Sequence, residues 1–256
     1  MCIRDRTTGD RILDRTLDRV GGKGLFVKEL DTALLEGRVD LTVHSLKDLP
    51  MEPHPDLPVI AFPRRADPRD VLVLSAGVAE LDLSRPIGCA SRRRKLQLER
   101  LFPGVEVLPV RGNVQTRLAK LDGGEYGALV LAAAGLERLG LSDRAARYFT
   151  PEEMLPAAGQ GILAVQARAG ETFPWTVALN DAAAEACARA ERAFVRVLDG
   201  GCSSPVAAYA QLSGEELLLT GMDETGRRDT IRGPWKDAEV LGETLGRRMK
   251  GENCRG

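Results

Sequence analysis

The sequence lacks most of the features that would betray a function at once. Aromatic residues make up 4% of its 256 residues, too few for stacking on single-stranded bases. Histidine occurs twice, which leaves no basis for a histidine metal cluster. The five cysteines, Cys2, Cys89, Cys187, Cys202 and Cys254, are odd in number and widely spaced, with no C-x-x-C. Neither a disulfide framework nor a zinc site is supported. There is no excess of one charge: 36 Lys and Arg stand against 37 Asp and Glu, net −1, whereas general polyanion binders carry a clear positive excess. No apolar run approaches the roughly 20 residues needed to span a bilayer. The first ten residues are polar, without the apolar core of a signal peptide. These absences predict a cytoplasmic protein with no nucleic-acid or membrane partner. Any anion binding must come from a local cluster of cations.

What is present is ordinary for a globular chain: 43% hydrophobic and 29% charged. The length sits at the upper end for one core, so two or three domains are expected. Phe26, Leu30, Ala33 and Leu34 recur at helical spacing before Gly37 as a stop. Residues 39–43 alternate like a strand and run into His44-Ser45-Leu46-Lys47-Asp48-Leu49-Pro50. After a short strand at 59–62, residues 63–68 read as a linker. The pattern then restarts, with strands at 71–74, 87–90, 105–110 and 128–131. Helices are expected at 92–101 and after Asn113, a candidate N-cap. Strands alternating with helices of this length indicate an α/β unit with a largely parallel sheet. Leu155-Pro156-Ala157-Ala158-Gly159-Gln160-Gly161 is a second break before a strand at 162–167. The remainder, with helices at 182–198 and 237–250 and strands at 206–210, 216–220 and 230–232, reads as a small α+β unit.

Arg92-Arg93-Arg94-Lys95 opens a helix directly after a strand. The positive end of the helix dipole disfavours cations there unless an anion sits opposite, and a strand-to-helix junction is itself an anion site. Lys47, Arg111 and Arg138 also follow strands, and Arg117 lies one turn beyond Asn113. Ligands of open α/β sheets bind outside the carboxyl ends of the strands, so these cations predict a cleft for a ligand rich in carboxylate or phosphate. No P-loop pattern occurs. Asp48, beside Lys47, reads equally as a turn former ahead of Pro50 and as an ionised carboxylate that steadies a developing cation or shuttles a proton. His44 reads as a packed strand residue, His54 as exposed loop, and Cys89 and Cys187 as core. Cys202 follows Gly200-Gly201, where it is either a structural loop cysteine or a thiol presented to the cleft.

Six ordered stretches resemble one family, the porphobilinogen deaminases. They are Gly21-Gly22-Lys23-Gly24-Leu25-Phe26, Val43-His44-Ser45-Leu46-Lys47-Asp48, Asp67-Pro68-Arg69-Asp70, Arg111-Gly112-Asn113-Val114, residues 155–161 above, and Gly200-Gly201-Cys202. The resemblance implies a monomeric transferase that joins four porphobilinogen molecules head to tail, with loss of ammonia, into hydroxymethylbilane. It implies a dipyrromethane cofactor on a thioether to Cys202, and Asp48 as the catalytic carboxylate, supporting an azafulvene-type cation. Lys47, Ser91, Arg93, Arg94 and Arg111 would hold the cofactor, and Lys23, Arg117 and Arg138 the substrate. The implied fold has two α/β domains like those of periplasmic binding proteins, joined by a two-segment hinge, plus a small α+β domain. The expected boundaries are 1–63 with 161–181, 69–157, and 182–256.

Two departures qualify the resemblance. Gly88-Cys89-Ala90-Ser91-Arg92 replaces two hydroxyl residues and an apolar one of the family pattern. The family's opening strand, Arg-x-Ser motif and amphipathic helix have no counterpart, a difference of roughly 30–40 residues or one strand–helix–strand unit. On that ground the expectation is a poorly stable, weakly active or inactive chain. The rival expectations are an inactive remnant and a binding module that captures a small polyanion without chemistry.

Overall fold

The computed structural model describes residues 27–52, 54–200 and 204–252. It contains two α/β units joined by a two-segment hinge, and a small α+β unit.

In the first unit, α1 (Lys28–Leu35) ends ahead of Gly37, whose φ of +68° suits a glycine. Next come β1 (Thr42–Ser45) and β2 (Val59–Ala61). Both pair antiparallel with β8 (Leu163–Gln166), which the chain supplies after visiting the second unit. The strand expected at 39–43 lies further along, and it turns the opposite face inward. Thr42 and His44 are buried while Val43 is 57% exposed. The two polar side chains go inside as a pair, His44 Nε2 lying 2.9 Å from Thr42 Oγ1, which satisfies both.

The second unit is a five-stranded sheet in the order β5-β4-β6-β3-β7. Its strands are β3 (Asp70–Leu74), β4 (Ile87–Cys89), β5 (Val107–Pro109), β6 (Ala128–Ala132) and β7 (Ala145–Tyr148). Between them lie α2 (Arg92–Leu101), α3 (Val114–Asp122) and α4 (Ala133–Glu137). The sheet is mixed, which corrects the largely parallel expectation. β4 runs parallel to β5 and β6, but β3 is antiparallel to β6 and β7. Parallel pairing occurs where α2 or α3 supplies the crossover; no helix separates β3 from β4.

The middle of the sheet is buried on both faces, so β6, and β3 after Asp70, read as apolar runs. Val71, Val73, Leu129 and Leu131 face Leu118, Leu121 and Leu136 on one side. Leu72, Leu74, Ala128 and Val130 face Leu98, Phe149 and Met154 on the other.

The third unit is a meander, β9 (Ala207–Ser213), β10 (Glu216–Met222) and β11 (Arg228–Pro234), covered by α6 (Ala182–Val197) and α7 (Ala238–Lys250). A short α5 (Thr176–Leu179) precedes them. The alanine face of α6 shares one core with Leu46, Leu49 and Ile162 of the first unit. Among the described residues no helix is long and apolar enough to cross a membrane.

The two hinge segments touch backbone to backbone. Ala66 N–H donates to Gly161 O at 3.1 Å. A Cβ on Gly161, at φ +86°, would lie 2.6 Å from Ala66 O, so no other residue fits this crossing. A buried ion pair ties both segments to the third unit. Arg65 Nη1 reaches Glu191 Oε1 of α6 at 2.6 Å, and its Nε donates to Gln160 O at 2.9 Å. The same carboxylate accepts Gly159 N–H at 2.6 Å and Ala210 N–H at 2.8 Å. Removing one member of such a pair leaves the other charge buried and uncompensated. Glu191→Gln should therefore lower the unfolding free energy by about 3 kcal/mol, read as a lower urea midpoint.

Candidate active site

The carboxyl end of β1 feeds a single tight turn. Leu46 and Leu49 are buried anchors, and Leu46 N–H donates to Ile162 O at 3.0 Å. Asp48 is thereby held exposed, beside a half-buried Lys47.

Opposite, α2 starts at Ser91, an extended N-cap whose side chain makes no capping bond. Its first turn contains no acid. Part of the anion that this arrangement demands is the chain's own. Arg93 and Arg94 turn inward onto Asp70, the first residue of β3. Arg93 Nη2 lies 2.8 Å from Oδ2, and Arg94 Nη2 and Nε lie 2.7 and 3.0 Å from Oδ1. Gln160 Nε2 of the hinge adds a further bond to Oδ1 at 3.0 Å. Burial opposes charge on Asp70, but the two guanidiniums outweigh it and hold its pKa at about 2.

A third segment contributes Arg111 and Arg117. Asn113 caps α3, accepting Thr116 N–H at 2.8 Å. Arg117 Nε donates to Gly112 O at 2.7 Å. These charged side chains lie within electrostatic range of one another. Burial lowers the Arg117 pKa to about 10, Arg94 and Arg111 push the same way, and Asp48 opposes them. Burial also lowers the Lys47 pKa, against the pull of Asp48, with Arg94 and Arg93 adding to the fall and Asp70 resisting it. Lys47, Arg93, Arg94, Arg111 and Arg117 thus share one field with Asp48 and Asp70, and the cations outnumber the carboxylates.

Arg138 is held differently: it donates to Gly161 O in the hinge at 2.9 Å. Lys23 and Cys202 lie outside the described residues, as do Cys2, Cys254 and the stretch 21–26. Cys89 and Cys187 are buried. Burial raises both thiol pKa values, that of Cys187 to about 12, so neither is a reactive thiolate at neutral pH. His44 is likewise inert, burial pushing it down to about 4.

An open groove of about 410 Å³ lies at the far end of α2, lined by Gln97, Arg100, Leu101, Glu152, Glu153 and Arg228. Its arginines already serve the chain. Arg100 Nη2 donates to Thr225 O at 2.6 Å and Arg228 Nη2 to Gln97 Oε1 at 2.6 Å. That groove joins the second and third units and is separate from the cation cluster.

Two family models cover nearly the whole chain. Residues 2–173 match the porphobilinogen deaminase dipyromethane cofactor binding domain, and residues 185–251 match the porphobilinogen deaminase C-terminal domain. The chain belongs to the porphobilinogen deaminase family. A porphobilinogen deaminase of Ruminiclostridium cellulolyticum is 52% identical over 259 residues, 99% of this chain and 87% of that protein. One from Bordetella parapertussis is 48% identical over 250 residues, 94% of this chain and 80% of that protein. Among solved structures, the periplasmic aliphatic sulphonate binding protein SsuA from Escherichia coli is similar at 13% identity. That match covers 66% of this chain and 60% of that one, with a TM-score of 0.36.

The family's dipyrromethane carries acetate and propionate groups, and the residues present fit it. Arg93 Nε is buried with no hydrogen-bond partner, a donor that a carboxylate would satisfy. The neighbouring cations supply the forked donors that carboxylates prefer.

Several residues of this site carry no sequence-level assignment beyond their place in a motif. Asp70 and Gln160 organise the arginines, and Glu191 fixes the hinge. A signal existed for two of them. Asp70 is a lone acid opening an otherwise apolar strand, and Glu191 is a lone acid on the buried face of α6.

Proposed function

We propose that this chain joins porphobilinogen molecules head to tail, releasing ammonia at each addition, to give hydroxymethylbilane. The observation that carries the reading is one exposed carboxylate, Asp48, set among cations from three separate segments. Each porphobilinogen adds two carboxylates, so a growing chain accumulates negative charge that a surplus of arginine and lysine offsets. Loss of ammonia leaves positive charge on the pyrrole, and a carboxylate placed at the ring N–H stabilises that charge where it develops. Asp48 fills this role and accepts the proton released when the new carbon–carbon bond forms. Lys47, Ser91, Arg93, Arg94 and Arg111 hold the dipyrromethane, with Cys202 as its thioether anchor. Lys23, Arg117 and Arg138 bind incoming substrate. The bound dipyrromethane supplies the pyrrole carbon on which the first unit is placed.

The three sheets support a division into 1–63 with 161–181, 69–157, and 182–256. We read the protein as a cytoplasmic monomer. Intact-mass measurement tests the reading. The purified chain, alone or after incubation with porphobilinogen, should carry an added mass of two linked pyrrole units that maps to Cys202. Further additions should appear stepwise with substrate. An unmodified chain under both conditions would make it a polyanion binder or an inactive remnant.

A further inference from the structure

Arg192 does something the mechanism above does not require of it. It sits on α6, beside the buried Glu191, and its guanidinium spans the turn that bears Asp48. Nη2 donates to Met51 O at 3.0 Å and also to Pro50 O. Nη1 lies 3.5 Å from both Leu46 O and Leu49 O. One planar fork therefore gathers carbonyls on both sides of Lys47-Asp48. An arginine is suited to this because its donors are rigidly splayed.

The turn has anchors of its own besides Arg192. Leu46 and Leu49 are buried, Leu46 N–H is bonded to Ile162 O, and Leu49 N–H to Leu46 O at 3.1 Å. These contacts fix where the turn is attached, close to the first unit's core. The guanidinium adds a tie to a different unit. α6 ends at Val197, and the chain turns through Asp199, whose φ is +51°, to Gly200. A helix of the third unit thus grips the aspartate's turn in the first.

We propose that Arg192 is a positioning residue that fixes the Asp48 turn relative to α6. The proposal rests on the role given to Asp48 under the proposed function. The reaction needs the carboxylate at the ring nitrogen of a chain tethered elsewhere, and small misplacements of such a group are costly. A side chain that sets the aspartate's position acts on turnover more than on substrate capture.

The test compares Arg192→Gln, Arg192→Lys and Asp48→Asn holoenzymes by steady-state kinetics and by amide hydrogen exchange. Arg192→Gln should lower kcat about tenfold or more while KM stays within about threefold. Exchange in peptides covering residues 45–52 should quicken about tenfold, with β8 and the second unit unchanged. Arg192→Lys, which keeps the charge but loses the fork, should recover part of both. Unchanged exchange at 45–52, or wild-type kcat in Arg192→Gln while Asp48→Asn is inactive, would overturn the positioning role and leave the Asp48 reading intact. A uniform rise in exchange across the molecule would also overturn it, because Arg192 would then hold the fold and not the turn. Wild-type turnover in Asp48→Asn would instead overturn the reading beneath it.

Discussion

Asp48→Asn should lower kcat about a thousandfold, in the range expected when a positioned acid or base is removed, while leaving KM for porphobilinogen unchanged or lower. The asymmetry follows from charge. Asp48 resists the fall in pKa that burial and the neighbouring cations impose on Lys47 and Arg117. Its removal makes the cleft more positive, and a substrate bearing carboxylates loses no attraction in the ground state. The lost stabilisation belongs to the moment when ammonia departs and the pyrrole carries positive charge. An asparagine oxygen can still accept the ring N–H, but it brings no formal charge and cannot take the proton of the closing step. Asp48→Glu keeps the charge on a longer arm and should retain more activity than asparagine. Because Asp48 is exposed, the substitution should alter stability by no more than about 0.5 kcal/mol. Equal urea midpoints beside a collapsed kcat are therefore the expected pair of measurements. A parallel rise in KM with little change in kcat would assign Asp48 to substrate binding and remove it from the chemistry.

How much of this was legible in the sequence varies with the kind of interaction that decides each element. The helix at 92–101 and the Asn113 cap are local, set by backbone periodicity and one side-chain bond, and both occur as expected. β7 escaped notice because it is a sheet edge whose residues are mostly exposed, so no alternation marks it. The face of β1 was misleading because a hydrogen-bonded Thr42–His44 pair goes inside while Val43 faces out. Polar burial of that kind depends on a partner, and pattern alone does not show one. The direction of β3 depends on how the hinge delivers the chain to the sheet, which no window of residues encodes. The site divides along the same line. Arg93, Arg94, Lys47 and Asp48 stand out because charge at a strand end is visible as such. Asp70, Gln160, Glu191 and Arg192 are long-range partners: Asp70 and Gln160 are 90 residues apart, and Arg192 and Leu46 are 146 apart.

Asp70→Asn should produce the largest stability loss in the molecule, about 5 kcal/mol, the upper end for breaking a buried charge network. Two guanidiniums share this carboxylate, and the Asp70, Arg93 and Arg94 side chains are 0%, 3% and 7% exposed. An amide in its place leaves both positive charges without a counterion and turns an –NH2 donor toward donors. The pH dependence has a definite sign. The folded pKa of about 2 lies below the ordinary aspartate value of 3.8, so the carboxylate's contribution is fully present above about pH 4. It falls away as pH drops through 2, a change on the order of 2 kcal/mol. Wild-type stability should therefore decline over that window by more than the variant's, since asparagine does not titrate there. The same substitution tests how the arginines are shared. With Asp70 gone, Arg93 and Arg94 lose their paired carboxylate, and a bound polyanion becomes a source of countercharge for them. Loading the dipyrromethane, or adding a polycarboxylate such as citrate, should then raise the melting temperature of Asp70→Asn by more than it raises that of the wild type. Equal shifts in the two proteins would mean that Arg93 and Arg94 serve the fold alone and that the ligand is held by Lys47, Arg111 and Arg117.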